Sequence, residues 1–131
     1  MFLMSISEFE NLKQHTCNCY SPYSNINVVS MLTSFTNKTF IGVNIENASY
    51  GLTICAERSA FCKAISSGIK KHNFKNLYLY TDSFDTIVPC GACLQFMSEF
   101  VSSPFKVVTM GKSNIVRTYT IKELLPHSFN I

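Results

Sequence analysis

Apolar and polar residues alternate along this chain in two rhythms. From Ser5 to Cys17, Ile6, Phe9 and Leu12 recur at helical spacing. Ser21-Pro22-Tyr23-Ser24 breaks the pattern and reads as a loop. Ile26, Val28, Val29, Met31, Leu32 and Phe35 then predict a strand over Asn25–Thr36. Asn37-Lys38 is a hairpin turn, and Thr39–Asn44 is the returning strand. Helical spacing resumes over Thr53–Gly68, where Ala56, Ala60, Phe61, Ala64 and Ile65 share a stripe. Thr53 is placed to cap this helix and Gly68 to end it. The small residues of the stripe predict close packing on a sheet, with Cys62 as a packing cysteine.

Leu77–Thr81 alternates Leu and Tyr as a strand does. Asp82–Val88 is a loop. Gly91–Val101 is helical, with Phe96, Met97, Phe100 and Val101 on one face as core residues. Pro104–Met110 and Ile115–Thr120 read as strands, and Ile121–Leu125 as a short helix stopped by Pro126. The order α-ββ-α-β-α-β-β-α predicts an α/β fold in which a mixed five-stranded sheet carries helices on both faces.

Composition narrows this picture. A chain of 131 residues, 47% of them hydrophobic, predicts a single domain over residues 1–131 with one substantial core. The net charge is +3 without a long basic run, so no nucleic-acid partner is expected. The start M-F-L-M-S-I-S-E-F-E lacks the features of a signal peptide, and no stretch reaches membrane-spanning length. A cytoplasmic protein without membrane contact is the expectation. Six cysteines in that compartment read as metal ligands and free thiols before disulfides.

The chemistry gathers at two helix starts. C-A-E-R (Cys55 to Arg58) opens one and P-C-G-A-C (Pro89 to Cys93) opens the other. A catalytic zinc takes three protein ligands and leaves a fourth position for water. The two-residue gap between Cys90 and Cys93 lets both sulfurs reach one metal, and Cys55 is the third candidate. A helix N-terminus favours thiolate over thiol. Glu57, two residues after Cys55, is placed to move the proton of a water that zinc has made nucleophilic. Three thiolates with Zn²⁺ carry a net charge of about −1, which raises the pKa of that water. Arg58 is placed to withdraw charge by hydrogen-bonding the thiolates. The competing reading is a structural four-cysteine site that recruits Cys17, Cys19 or Cys62, a zinc-stabilised module without catalysis.

The stretches N-I-E-N-A-S-Y-G-L-T-I-C-A-E-R-S-A (Asn44 to Ala60) and P-C-G-A-C-L-Q (Pro89 to Gln95) resemble the short zinc-dependent cytidine deaminases that act on free nucleosides. S-P-Y-S (Ser21 to Ser24) and E-L-L-P-H-S-F (Glu123 to Phe129) resemble further landmarks of that family, so the likeness covers nearly the whole chain. The resemblance implies a three-layer α/β/α fold and one Zn²⁺ per chain. It also implies hydrolytic deamination of cytidine and 2′-deoxycytidine, a step of pyrimidine salvage. It assigns the ribose to Asn44 and Glu46, and the base to the Ala56 backbone and Glu57. It further implies a homotetramer with shared active sites, in which Phe129 packs on the base and Tyr50 and Tyr23 lie near site and interface. Gln95 would support the site from behind. Blasticidin S deaminases share the same motif pair and are one rival enzyme class; polynucleotide editors, which commonly have a histidine ligand where Cys55 stands, are another.

Three positions depart from the family pattern. Ile26 stands where a base-contacting phenylalanine is common, which keeps an apolar wall and loses ring stacking. Val29 and Ser30 replace the usual glycine and alanine. Leu94 replaces a common arginine, which touches hydrogen bonds around the site or interface rather than the metal.

Overall fold

The computed structural model describes residues 2–131, with side chains from Ile6 onward. The sheet runs β2 (Thr39–Val43), β1 (Val28–Ser34), β3 (Phe74–Thr81), β4 (Lys106–Met110), β5 (Val116–Thr120). β1 is antiparallel to both neighbours, and β4 is antiparallel to β5. β3 and β4 are parallel, which requires a crossover connection. That crossover is α3 (Gly91–Phe100).

Strand alternation sorts the core into two layers. Val29 and Met31 of β1, with Tyr80, Val108 and Met110, pack against Phe9 and Leu12 of α1 (Phe2–Lys13). Leu32, Leu77 and Val107 face the other way, onto Phe61 of α2 (Ala56–Ser66), Met97 of α3 and the partly buried Leu124 of α4 (Ile121–Leu124). This is the three-layer α/β/α arrangement the resemblance implies. Phe61 centres its layer, with the Phe74 ring at 4.9 Å and those of Phe96, Phe100 and Phe105 at 6.0–6.4 Å.

α2 lies very close to the hairpin. A Cβ at Gly42 would sit 2.3 Å from the Ala56 carbonyl oxygen and 2.5 Å from the Ala60 nitrogen. Ser30, paired with Gly42 across the hairpin, donates its buried hydroxyl to the Ala56 carbonyl at 2.8 Å.

Element ends differ from the sequence expectation for identifiable reasons. β1 starts at Val28 rather than Asn25, because Asn25 takes a left-handed φ of 58°. It stops at Ser34, ahead of the turn residue Asn37 with φ 62°. α1 ends at Lys13, and Thr16–Asn18 form a separate 3₁₀ turn. A second such turn, Tyr50–Leu52, was not foreseen. α2 starts at Ala56, so Cys55 and not Thr53 holds the N-cap position. Gly68 follows its end with φ 101°, in the expected role. β3 is longer than expected, reaching back to Phe74, and β4 and β5 each begin slightly late. Cys62 is exposed rather than packed, and Ile65 is also exposed, because α2 seats Ala56, Ala60, Phe61 and Ala64. Among the described residues no helix is long and apolar enough to cross a membrane.

Candidate active site

The two site helices begin beside the end of β3 and the start of β1, where Val28 pairs with Thr81. Cys55 is the N-cap residue of α2 and Cys90 that of α3, while Cys93 lies in the first turn of α3. Pro89 is buried, which fixes the approach of the loop to Cys90. The three Sγ atoms lie within 4.8 Å of one another, and Cys55 and Cys90 are 3.9 Å apart. A tetrahedral zinc with bonds of about 2.3 Å needs sulfurs roughly 3.8 Å apart. The donor set therefore fits Zn²⁺. No fourth Cys, His, Asp or Glu joins the group among the described residues. Cys17, Cys19 and Cys62 are free thiols outside it, which removes the four-cysteine reading.

The thiols share charge unequally. Hydrogen bonds from Cys93 and from Arg58 pull Cys55 down to about 5 against the opposing effect of burial. Cys93, donating to Cys55 and itself buried, is pushed up. The Arg58 guanidinium lies 3.7 Å from the Cys55 sulfur and donates to the Thr53 carbonyl at 3.3 Å. Arg58 thus sits as a cation against the Cys55 sulfur.

Glu57 is 3% exposed. Burial raises its carboxyl to about 7, against the lowering effect of a hydrogen bond from its own backbone N–H. Its Oε2 is buried without a hydrogen-bond partner. Leaving such an oxygen unpaired costs about 1–3 kcal/mol, a cost native folds rarely tolerate without a use.

These groups open into a cavity of about 310 Å³ lined by Ile26, Asn44, Glu46, Cys55, Ala56, Glu57 and Cys90, with Ser24, Val28, Thr53, Ile87 and Val88. That volume suits a small molecule. A larger cavity of about 460 Å³ lies between the end of α3 and α4. It is lined by hydroxyls, apolar groups and Lys122, with no carboxylate or thiol.

The ribose candidates are already held in place. The Asn44 amide donates to the Ile26 carbonyl at 2.8 Å and accepts from the Val28 N–H at 3.0 Å. Glu46 accepts from the backbone N–H groups of Tyr23 and Ser24 and from the Ser24 hydroxyl at 2.5 Å. The Ser24 hydroxyl and the Tyr23 N–H hold the Glu46 carboxyl below its usual range. Ser24 was legible only as part of a loop motif, whereas its bond to Glu46, 22 residues further along the chain, carries no local signal. Ile87 and Val88 also join the wall, and two apolar residues just before Pro89 were the available hint.

Tyr50 and Phe129 do not line this cavity. Tyr50 is 76% exposed and packs edge-on against Tyr23 at 5.9 Å, beside Glu46. Phe129 is 70% exposed. Its backbone is clasped by Gln95, which donates to its carbonyl at 2.9 Å and accepts from its N–H at 3.0 Å. Gln95 therefore moors the C-terminal tail to α3 rather than supporting the thiolates.

A profile of the cytidine and deoxycytidylate deaminase zinc-binding region matches residues 7–110. A cytidine deaminase from Sporosarcina psychrophila is 37% identical over 111 residues, covering 85% of this chain and 80% of its own. One from Halalkalibacterium halodurans is 39% identical over 110 residues, covering 84% and 82%. The crystal structure of cytidine deaminase from Burkholderia pseudomallei superposes with a TM-score of 0.86 at 38% identity, over 92% of this chain and 94% of that one. Matching sequence over most of its length, the same fold and a three-thiol zinc site with its glutamate place this chain in the zinc-dependent cytidine and deoxycytidylate deaminase family.

Proposed function

We propose that the chain is a cytidine deaminase that converts cytidine and 2′-deoxycytidine, with water, to uridine and 2′-deoxyuridine plus ammonia. The observation that carries this reading is Glu57, which lines the cavity with Cys55 and Cys90, has a buried and unpartnered Oε2, and stands two residues from the three-thiol cluster. Cys55, Cys90 and Cys93 hold the zinc, whose Lewis acidity makes water nucleophilic near neutral pH. Glu57 would take one proton from the attacking water and pass it to N3 of the ring, then take the proton of the resulting C4 hydroxyl and pass it to the amine as the C4–N bond breaks and ammonia leaves. A carboxyl raised to about 7 can both accept and donate at neutral pH. The Ala56 backbone and the Glu57 carboxylate orient the base, and Ile26 forms an aliphatic wall beside it.

Asn44 and Glu46 hold the ribose hydroxyls. Their existing bonds fix both groups, and each retains hydrogen-bonding capacity toward the cavity they line. Phe129 and Tyr50 serve a neighbouring copy in a homotetramer. Their exposure, and the absence of both from the cavity of their own chain, support this reading.

The test is loss of cytidine absorbance followed together with ammonia release. Turnover by the zinc-loaded protein, abolished by chelation and restored by Zn²⁺, is the expected result. Glu57→Gln should keep about one zinc per chain and lose nearly all turnover. An active Gln variant would remove Glu57 from the mechanism, and an inactive zinc-loaded native chain would remove cytidine as substrate.

A further inference from the structure

We infer that Ser30 is a positioning residue for Glu57, acting through the peptide that joins Ala56 to Glu57. This rests on the deaminase reading above. Ser30 is fully buried in β1, and its hydroxyl donates to the Ala56 carbonyl at 2.8 Å. The carbonyl of Ala56 and the N–H of Glu57 belong to one rigid peptide plane. Glu57 leaves the backbone from that same plane, and its side chain is buried with Oε2 unpartnered. The Ser30 hydroxyl therefore fixes, through one peptide plane, the backbone from which the Glu57 side chain departs.

Two features make the arrangement specific. In an α-helix the Ala56 carbonyl accepts from the Ala60 N–H, so the Ser30 hydroxyl takes its second lone pair. On the neighbouring strand, a Cβ at Gly42 would overlap both the Ala56 oxygen and the Ala60 nitrogen. Gly42 lets the helix approach, and Ser30 fixes the rotation of its first peptide once it has arrived. A hydrogen bond on the carbonyl also polarises the peptide and strengthens donation by its N–H.

The experiment compares Ser30→Ala and Ser30→Cys with the native chain. It reads kcat and KM for cytidine, inhibition by uridine, zinc per chain and melting temperature. Ser30→Ala should keep one zinc and unchanged KM and uridine inhibition, while kcat falls about tenfold, in line with loss of one buried hydrogen bond. Ser30→Cys fills the same space with a weak donor, so its kcat should stay well below native. Native kcat in Ser30→Ala would overturn the inference, as would a loss that follows zinc content or melting temperature. Full activity in Ser30→Cys would assign the effect to volume and also overturn it. Failure of the deaminase reading shows separately, as absence of cytidine turnover in the native chain.

Discussion

At the scale of single residues, burial imposes an electrostatic cost on Glu57. Its carboxyl rises from the ordinary 4.5 to about 7, chiefly through burial. The sign of the resulting pH dependence follows. The folded state holds the proton more tightly than the unfolded chain, so the favourable contribution is complete below about pH 4.5 and is lost as pH rises through 7. A shift of this size corresponds to about 3 kcal/mol. Glu57→Gln has no proton to lose. In zinc-stripped protein, urea unfolding should therefore find the two chains similarly stable at pH 4.5 and the Gln variant more stable at pH 8. Comparing the two chains largely cancels the titration of the thiols, which both carry. Equal stability at pH 8 would mean that Glu57 is solvated in solution.

At the scale of elements, the site depends on how closely α2 meets the β1–β2 hairpin. Gly42→Ala places a methyl carbon against the Ala56 carbonyl, and backbone atoms cannot yield as a flexible side chain would. We expect a loss of about 1–3 kcal/mol, with zinc content and turnover falling as Cys55 and Glu57 are displaced. Gly51→Ala, with open space around its Cβ, should stay within about 0.5 kcal/mol. Denaturant titration of both separates the close approach from a general intolerance of alanine. This contact also shows what the sequence could reveal. The three cysteines, Glu57 and Arg58 were legible because each motif is local, lying within a few residues of a helix start. The small residues of α2 announced close packing. Gly42 and Ser30 as its partners, the Asn44 bridge that orders the start of β1, and Ser24 beneath Glu46 are pairings between distant segments. Periodicity carries no information about them. Cys62 was misread for a related reason, since the apolar arc of α2 is narrower than its run of non-polar letters.

At the scale of the whole molecule, the proposed homotetramer would bring the exposed Phe129 and Tyr50 of one chain to a neighbour's site. Phe129→Ala should raise KM for cytidine several-fold while leaving zinc and stability near native. Coexpressed with Glu57→Gln chains, it should yield mixed assemblies in which part of the low-KM activity returns. In these, inactive subunits lend Phe129 to neighbours that retain Glu57. No recovery at any mixing ratio would place Phe129 outside the neighbouring site.

In the proposed homotetramer the Gln95 clasp would act as a built-in ruler. One helix carries two zinc ligands near its N-terminus and, from Gln95, grips the backbone that presents Phe129. Metal and ring are thereby joined through a short rigid rod. On the proposed insertion of this ring into a neighbour's pocket, that rod would help set the spacing between the two metal centres. Replacing zinc with a paramagnetic ion should accordingly give a narrow distribution of metal–metal distances, and shortening Gln95 to alanine should broaden it.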